Sequence, residues 1–239
     1  MTALDDTGTA DYKGMLLSVQ RRMKSNFSVL ANWTLSKCDT DYRQAEYSST
    51  TSPVDPAHPE FDRGPCNSDR RNVVNLSGVV RTPRFIRGRI LGKIASDWQV
   101  APLVRWMSGD RSTPGTGVDS ALTGQPNQRG LQLLPNPYGD KSISNYLNPA
   151  AFAAPLPGFY SQVHPNSIVN PASFTNDMAL SRSIPVAEGR TLQVRWEVFN
   201  VINHVNFSAP TSSLNSSNFG KITSAGDPRI MQFAIKFDF

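Results

Sequence analysis

The sequence contains no run of eighteen apolar residues, which excludes a transmembrane helix. A membrane-spanning β-barrel stays open, because its lipid-facing residues sit at alternate positions and never accumulate into a run. The opening MTALDDTGTADYKG has no basic region followed by an apolar core and a cleavage site, so no secretory signal is visible. There is no G-x-S-x-G, and PGTG at Pro114–Gly117 lacks the Gly-Lys-Ser/Thr that a phosphate loop needs. His58, His164 and His204 are scattered and share no ligand spacing with one another or with cysteine. Asp39, Asp41, Asp55, Asp62 and Asp69 crowd one segment without the twelve-residue pattern of a calcium loop. The sequence therefore offers no catalytic constellation, cofactor or metal site. The formal charge of +5 is dispersed, with no long basic tract and no recognisable module, which argues against nucleic-acid binding.

What the 239 residues do contain is alternation and punctuation. Only 38% are hydrophobic, while Pro and Gly number 18 and 16, a composition suited to strands joined by long polar loops. The cleanest period of two lies at the carboxyl end, RIMQFAIKFDF. Met231, Phe233, Ile235, Phe237 and Phe239 share one face there, and Ile230, Gln232, Ala234, Lys236 and Asp238 the other. Chain ends fray unless tied down, so this one is expected to dock in a sheet. Six further segments read as strands: YKGMLLSVQRRM, NFSVLANWTLSK, NVVNLSGVVRT, DWQVAPLVRWMSG, NDMALSRSIPV and TLQVRWEVFNVINHVNF. From about Asp110 to Phe174 the chain reads as loop, rich in motifs such as PGTG, GQPNQRG and LPNPYGD. So long a structureless stretch argues against a compact water-soluble domain.

The connections run short, long, short, very long, short, long. Transmembrane barrels join antiparallel strands by short periplasmic turns and longer outside loops. With the carboxyl end in the periplasm, all three long connections fall outside. Ser49, Gly117 and Ser213 are then expected outside and Glu188 in the periplasm. Gln20, Arg22, Asn32, Thr34, Gln99, Arg105, Gln193, Arg195 and Glu197 would face the lumen. Alternation by itself fits equally a soluble sheet with one wet face; a soluble surface or adhesive domain, or an enzyme with an unrecognised site, are the alternatives. Cys38 and Cys66 bracket the first long loop, and in a chain facing the outside they suggest a disulfide closing it, against two free thiols.

The stretch VRWEVFNVINHVNFSAP, followed by NFGKITSAGDPRIMQFAIKFDF, resembles the closing strands of Oar-like TonB-dependent receptors. Arg195, Glu197, Phe199, Asn200, Asn203, His204, Asn206 and Phe207 fit that family's R-x-E-x-F-N-x-x-N-H-x-N-F block. Phe219, Gly220, Ile222, Thr223 and Ala225 fit its FG-x-I-T-x-A loop. Pro228, Arg229, Gln232, Phe233, Ala234, Lys236 and Phe239 fit its P-R-x-x-Q-F-A-x-K-x-x-F ending. Upstream, YKGMLLSVQRRM, NWTLSKCDTD and FDRGPCNSDRR are similar to its opening strand, strand end and D-R-G-P-S-x-x-D-R loop, so the likeness spans roughly residues 8–239. NSIVNP departs from the usual N-S-L-R-G-P.

The resemblance implies an all-β fold, an antiparallel transmembrane β-barrel segment with long extracellular loops, located in the outer membrane of a Gram-negative-type bacterium. It implies an open set of about seven strands from a 22-stranded barrel, with residues 1–10 a truncated lead-in and 11–239 the carboxyl-terminal barrel segment. Plug, signal and TonB-contacting segment would lie outside this chain, making it a truncated product or a fragmentary prediction. Implied partners are outer-membrane lipid, the barrel-assembly machinery, the TonB energy-coupling system through the missing parts, and an unknown ligand. Phe233, Ile235, Phe237 and Phe239 would form the assembly signal, with the terminal aromatic read by that machinery.

Overall fold

Alternating residues give an extended chain one apolar and one polar face, and a sheet keeps those faces apart only if every strand pairs in the matching register. The structure, a computed structural model, describes residues 9–24, 26–41, 54–55, 58–83, 96–124, 128–161 and 163–239. Seven long strands form one antiparallel sheet in chain order: β1 (Ala10–Lys24), β2 (Phe27–Thr40), β3 (Asn72–Arg81), β4 (Trp98–Met107), β5 (Ser173–Ala187), β6 (Arg190–Phe199) and β7 (Ile230–Asp238). No α-helix occurs among the described residues.

The register holds across the sheet apart from irregularities at Arg21–Lys24 and Pro185–Ala187, beside two of the short connections. Phe27, Val80, Val100, Leu180, Trp196 and Phe233 fall opposite one another from β2 to β7. Leu17, Trp33, Val74, Trp106 and Phe174 make a parallel apolar row from β1 to β5. On the other face Ser18, Asn32, Asn75, Arg105 and Thr175 form one polar row, and Glu197 faces Gln232. Nothing among the described residues covers the apolar face of β7, where Phe233 and Ile235 remain 73% and 74% exposed. Side chains this large, in unbroken rows, call for an apolar surrounding that the chain itself does not supply.

Both ends of the apolar band are marked. Toward the short connections Arg21 lies 3.9 Å above the Phe27 ring and Arg182 5.7 Å from that of Trp98. Toward the long ones Lys13 faces Lys37 and Asp11 faces Asp39. Cations over aromatic rings belong at a membrane interface, where the ring sits among headgroups and the charge stays wet.

Strand bounds shift from the sequence reading, and at two of them the cause is visible. The β6 alternation continues in sequence to Phe207, yet the strand stops at Phe199. Asn200 and Asn203 both take positive φ, 53° each, a conformation that ends a strand. The Asn200 side chain then accepts from the His204 amide (2.8 Å) and donates to the His204 carbonyl (2.9 Å). Local side-chain bonds thus replace the ladder. In the opposite sense, β5 begins at Ser173, inside the stretch read as loop, because Asn206 donates to and accepts from the Phe174 backbone, at 2.8 and 2.7 Å.

Candidate functional site: the loop layer

The ends of the strands joined by the short connections (β1 to β2, β3 to β4, β5 to β6) lie on one side of the sheet, and those joined by the long ones (β2 to β3, β4 to β5, β6 to β7) on the other. The long ones are not structureless, which corrects the reading of residues 110–174. Arg111–Ser112 pairs with Ile168–Val169, Leu131–Gln132 with Phe152–Ala153, and Tyr138–Ser142 with Asn145–Leu147. Paired segments of two to five residues are too short for periodicity to reveal them. They are held by the main buried cluster among the described residues: Tyr146, Leu147, Ala151, Phe152, Ile168, Phe219 and Ile222. The core of this molecule therefore sits in its loops.

Several contacts explain why particular residues stand where they do. The Val169 amide donates to the Tyr138 hydroxyl (2.9 Å), and the Tyr146 hydroxyl donates to the Val169 carbonyl (3.0 Å). Burial, with a smaller contribution from Tyr138, pushes the Tyr146 phenol up to about 12. Gly220, at φ +76°, passes so close to Leu147 that a Cβ would stand 2.5 Å from its carbonyl oxygen. This requires the glycine of the FG-x-I-T-x-A loop. The Phe152 and Phe219 rings meet edge to face at 5.5 Å, joining the second loop to the third.

Charge joins the first loop to the second. Asp69 and Arg70 stand at the root of the first, Asp110 and Arg111 at the root of the second, and the two dipeptides exchange partners. Arg70 donates to Asp110 at 2.9 Å, and Arg111 donates to Asp69 at 3.2 Å. Arg70 also donates to the Ser108 carbonyl, and Asp69 accepts from the Cys38 amide. Deeper in, Arg129 and Asp62 lie 3.1 Å apart with side chains only 9% and 4% exposed. Asn170, where the resembled family has Gly, donates to Asp110 and accepts from Ser112. The departure at NSIVNP thus brings an added polar tie.

The structure bonds Cys38 to Cys66, with Cα atoms 5.3 Å apart. Backbone pairing of Asp39 with Pro65 and of Thr40 with Gly64 aligns them. The terminal residues lie at the far end. Phe233, Ile235 and Phe237 stand opposite Trp196, Val194 and Leu192 on the apolar face, and Phe239 follows the strand, 96% exposed. So the sequence-predicted residues form two groups at opposite ends of the sheet. Sequence reasoning misses the loop core and the Asp–Arg exchange, although Phe219 lies inside the FG-x-I-T-x-A loop. Ser49 lies outside the described residues. Gly117 is tightly held at φ +73° against Asn215.

An antiparallel meander with an apolar band on one face, mostly polar residues on the other, and connections sorted by length defines a membrane-spanning β wall. The chain belongs to the outer membrane beta barrel domain family, which it matches over residues 1–232. It is thus an all-β protein of the outer membrane. No curated protein and no solved structure matches it.

Proposed function

We propose that this chain forms part of the barrel wall and the ligand-facing loops of an Oar-like TonB-dependent receptor, and acts by uptake and not by catalysis. The sorting of long connections to one end of the sheet carries this reading, supported by the motif resemblance along the chain. In this reading the loop layer lies outside the cell and 188–189 in the periplasm, with residues 11–239 as the carboxyl-terminal barrel segment. Seven strands leave two edges of backbone groups, each unpaired group costing several kcal/mol in lipid, so the wall needs further strands to close. A plug moved by periplasmic energy coupling would fill the lumen, against the row carrying Arg105. The Cys38–Cys66 bond persists in the exported protein. Phe233, Ile235, Phe237 and Phe239 present the assembly signal to the barrel-assembly machinery.

The test uses Arg105→Cys, on the polar face, in the full-length receptor. An impermeant maleimide added to cells should label it faster when the membrane is energised and TonB is present. Equal labelling with and without energy would identify a passive barrel instead.

A further inference from the structure

Between the second and third loops lies a cavity of about 510 Å³, within the range of small-molecule sites (roughly 300–1,000 Å³). Phe152, Phe219, Leu214 and Val118 give it an apolar lining. Asn215 and Lys221 are among its polar lining residues. No acidic residue lines it. The Lys221 ammonium donates to the Ser217 carbonyl at 3.2 Å and meets no carboxylate among the described residues. Asn215 is fixed across the two loops, accepting from the Ser213 hydroxyl at 2.7 Å and donating to the Gly117 carbonyl at 3.4 Å.

We propose that this cavity is a binding site for a small amphipathic monoanion, its apolar body against Val118, Leu214 and the exposed edges of the two phenylalanine rings and its carboxylate on Lys221. The apolar lining favours hydrocarbon or aromatic groups by burial. A single cation in the lining matches one negative charge. A doubly charged phosphate would keep one charge uncompensated, and a cationic ligand would meet Lys221 with no acid to receive it. The rings are well placed because they belong to the loop core, where Phe152 and Phe219 share the buried cluster of Ala151, Leu147 and Ile222. A site built on such a scaffold loses little freedom on binding. This inference names a ligand class for the receptor reading above and rests on it for its biological use, but not for its chemistry.

The experiment uses the full chain in its barrel, purified into nanodiscs, with three probes of one shape: 3-phenylpropionate, its neutral amide, and 3-phenylpropylamine. Binding is read by ligand-observed NMR against empty discs. The anion should bind best and the amine worst. Lys221→Gln should weaken the anion about tenfold or more while leaving the amide unchanged, as loss of a charged hydrogen bond predicts. Ala154→Trp, at an exposed lining position, should abolish binding of all three while the barrel stays heat-modifiable. Equal affinity for the three probes overturns the proposal. So does unchanged binding in Ala154→Trp, or no binding of 3-phenylpropionate at millimolar concentration. None of these outcomes depends on orientation or energy, so a failed site and a failed receptor reading are told apart by the Arg105 labelling.

Discussion

Gln232 and Phe233 are neighbours in sequence and face opposite solvents. Gln232 stands beside Glu197 on the polar face and Phe233 stacks on Trp196 at 5.8 Å on the apolar one. A charge on the lipid face of a barrel costs about 2–4 kcal/mol at mid-membrane and close to zero near the interface. Phe233→Arg should therefore lower the folded yield of a full-length barrel, read as heat-modifiable mobility, well below that of Gln232→Arg. Equal damage by the two would mean that the facing is wrong. The buried pair Asp62–Arg129 makes a second residue-scale prediction. Removing one partner leaves a buried charge uncompensated, at a cost of about 3–5 kcal/mol, whereas replacing both by apolar groups of similar volume is often nearly neutral. Asp62→Ala should open the loop layer to protease, and Asp62→Leu with Arg129→Met should restore much of the resistance. The sequence does not reveal this pair: Asp62 is one acid among five in a polar segment, and partners 67 positions apart leave no trace in local periodicity.

Among the elements, the strands were legible and the loop layer was not. Strand alternation repeats over nine to fifteen residues in the long strands, so each announces itself. A segment such as Ile168–Val169 contributes one buried side chain and gains its place from two tyrosine hydroxyls on another hairpin. The end of β6 shows how a run of good strand residues fails. Phe199-Asn200-Val201-Ile202 looks extended, but the asparagines offer the backbone closer partners than a ladder would. The tyrosines give this scale a pH prediction. The Tyr146 phenol is raised in the folded loop layer, from an ordinary value of 10.0 to about 12. Its contribution to stability is fully present below about pH 10, where the phenol is protonated in both states, and is lost as pH rises toward 12. Protease resistance of the loop layer should fall over that interval. In Tyr146→Phe the alkaline loss should shrink, with baseline stability about 0.5–1.5 kcal/mol lower for the missing hydrogen bond to Val169. An alkaline profile that is identical in the variant would exclude Tyr146 as its source.

For the whole molecule, orientation follows from loop sorting. Val118→Cys and Ser213→Cys should react with an impermeant reagent on intact cells, and Glu188→Cys only after the outer membrane is permeabilised. Val118 serves better than Gly117, whose positive φ and contact with Asn215 penalise any side chain. Exclusive labelling at 188 would invert the protein. A second expectation concerns the bond between Cys38 and Cys66, 28 positions apart, for which chain entropy gives roughly 3–4 kcal/mol. Non-reducing peptide mapping of exported protein should recover the joined peptides, and two alkylatable thiols without reductant would refute the bond. The same closure has a consequence for how such proteins diversify. Cys38–Cys66, the short ladder at Asp39–Thr40 and the partner exchange of Asp69-Arg70 with Asp110-Arg111 together shut the neck of the first loop just above the wall. Beyond that neck, the described part of the first loop is tied to the second at Asp62, which pairs with Arg129, and at Asp55, which accepts from the Tyr160 hydroxyl at 2.8 Å. A loop closed at its neck in this way can exchange its outer surface while the strands beneath keep their register, so variation is expected to gather above the neck and not in the wall.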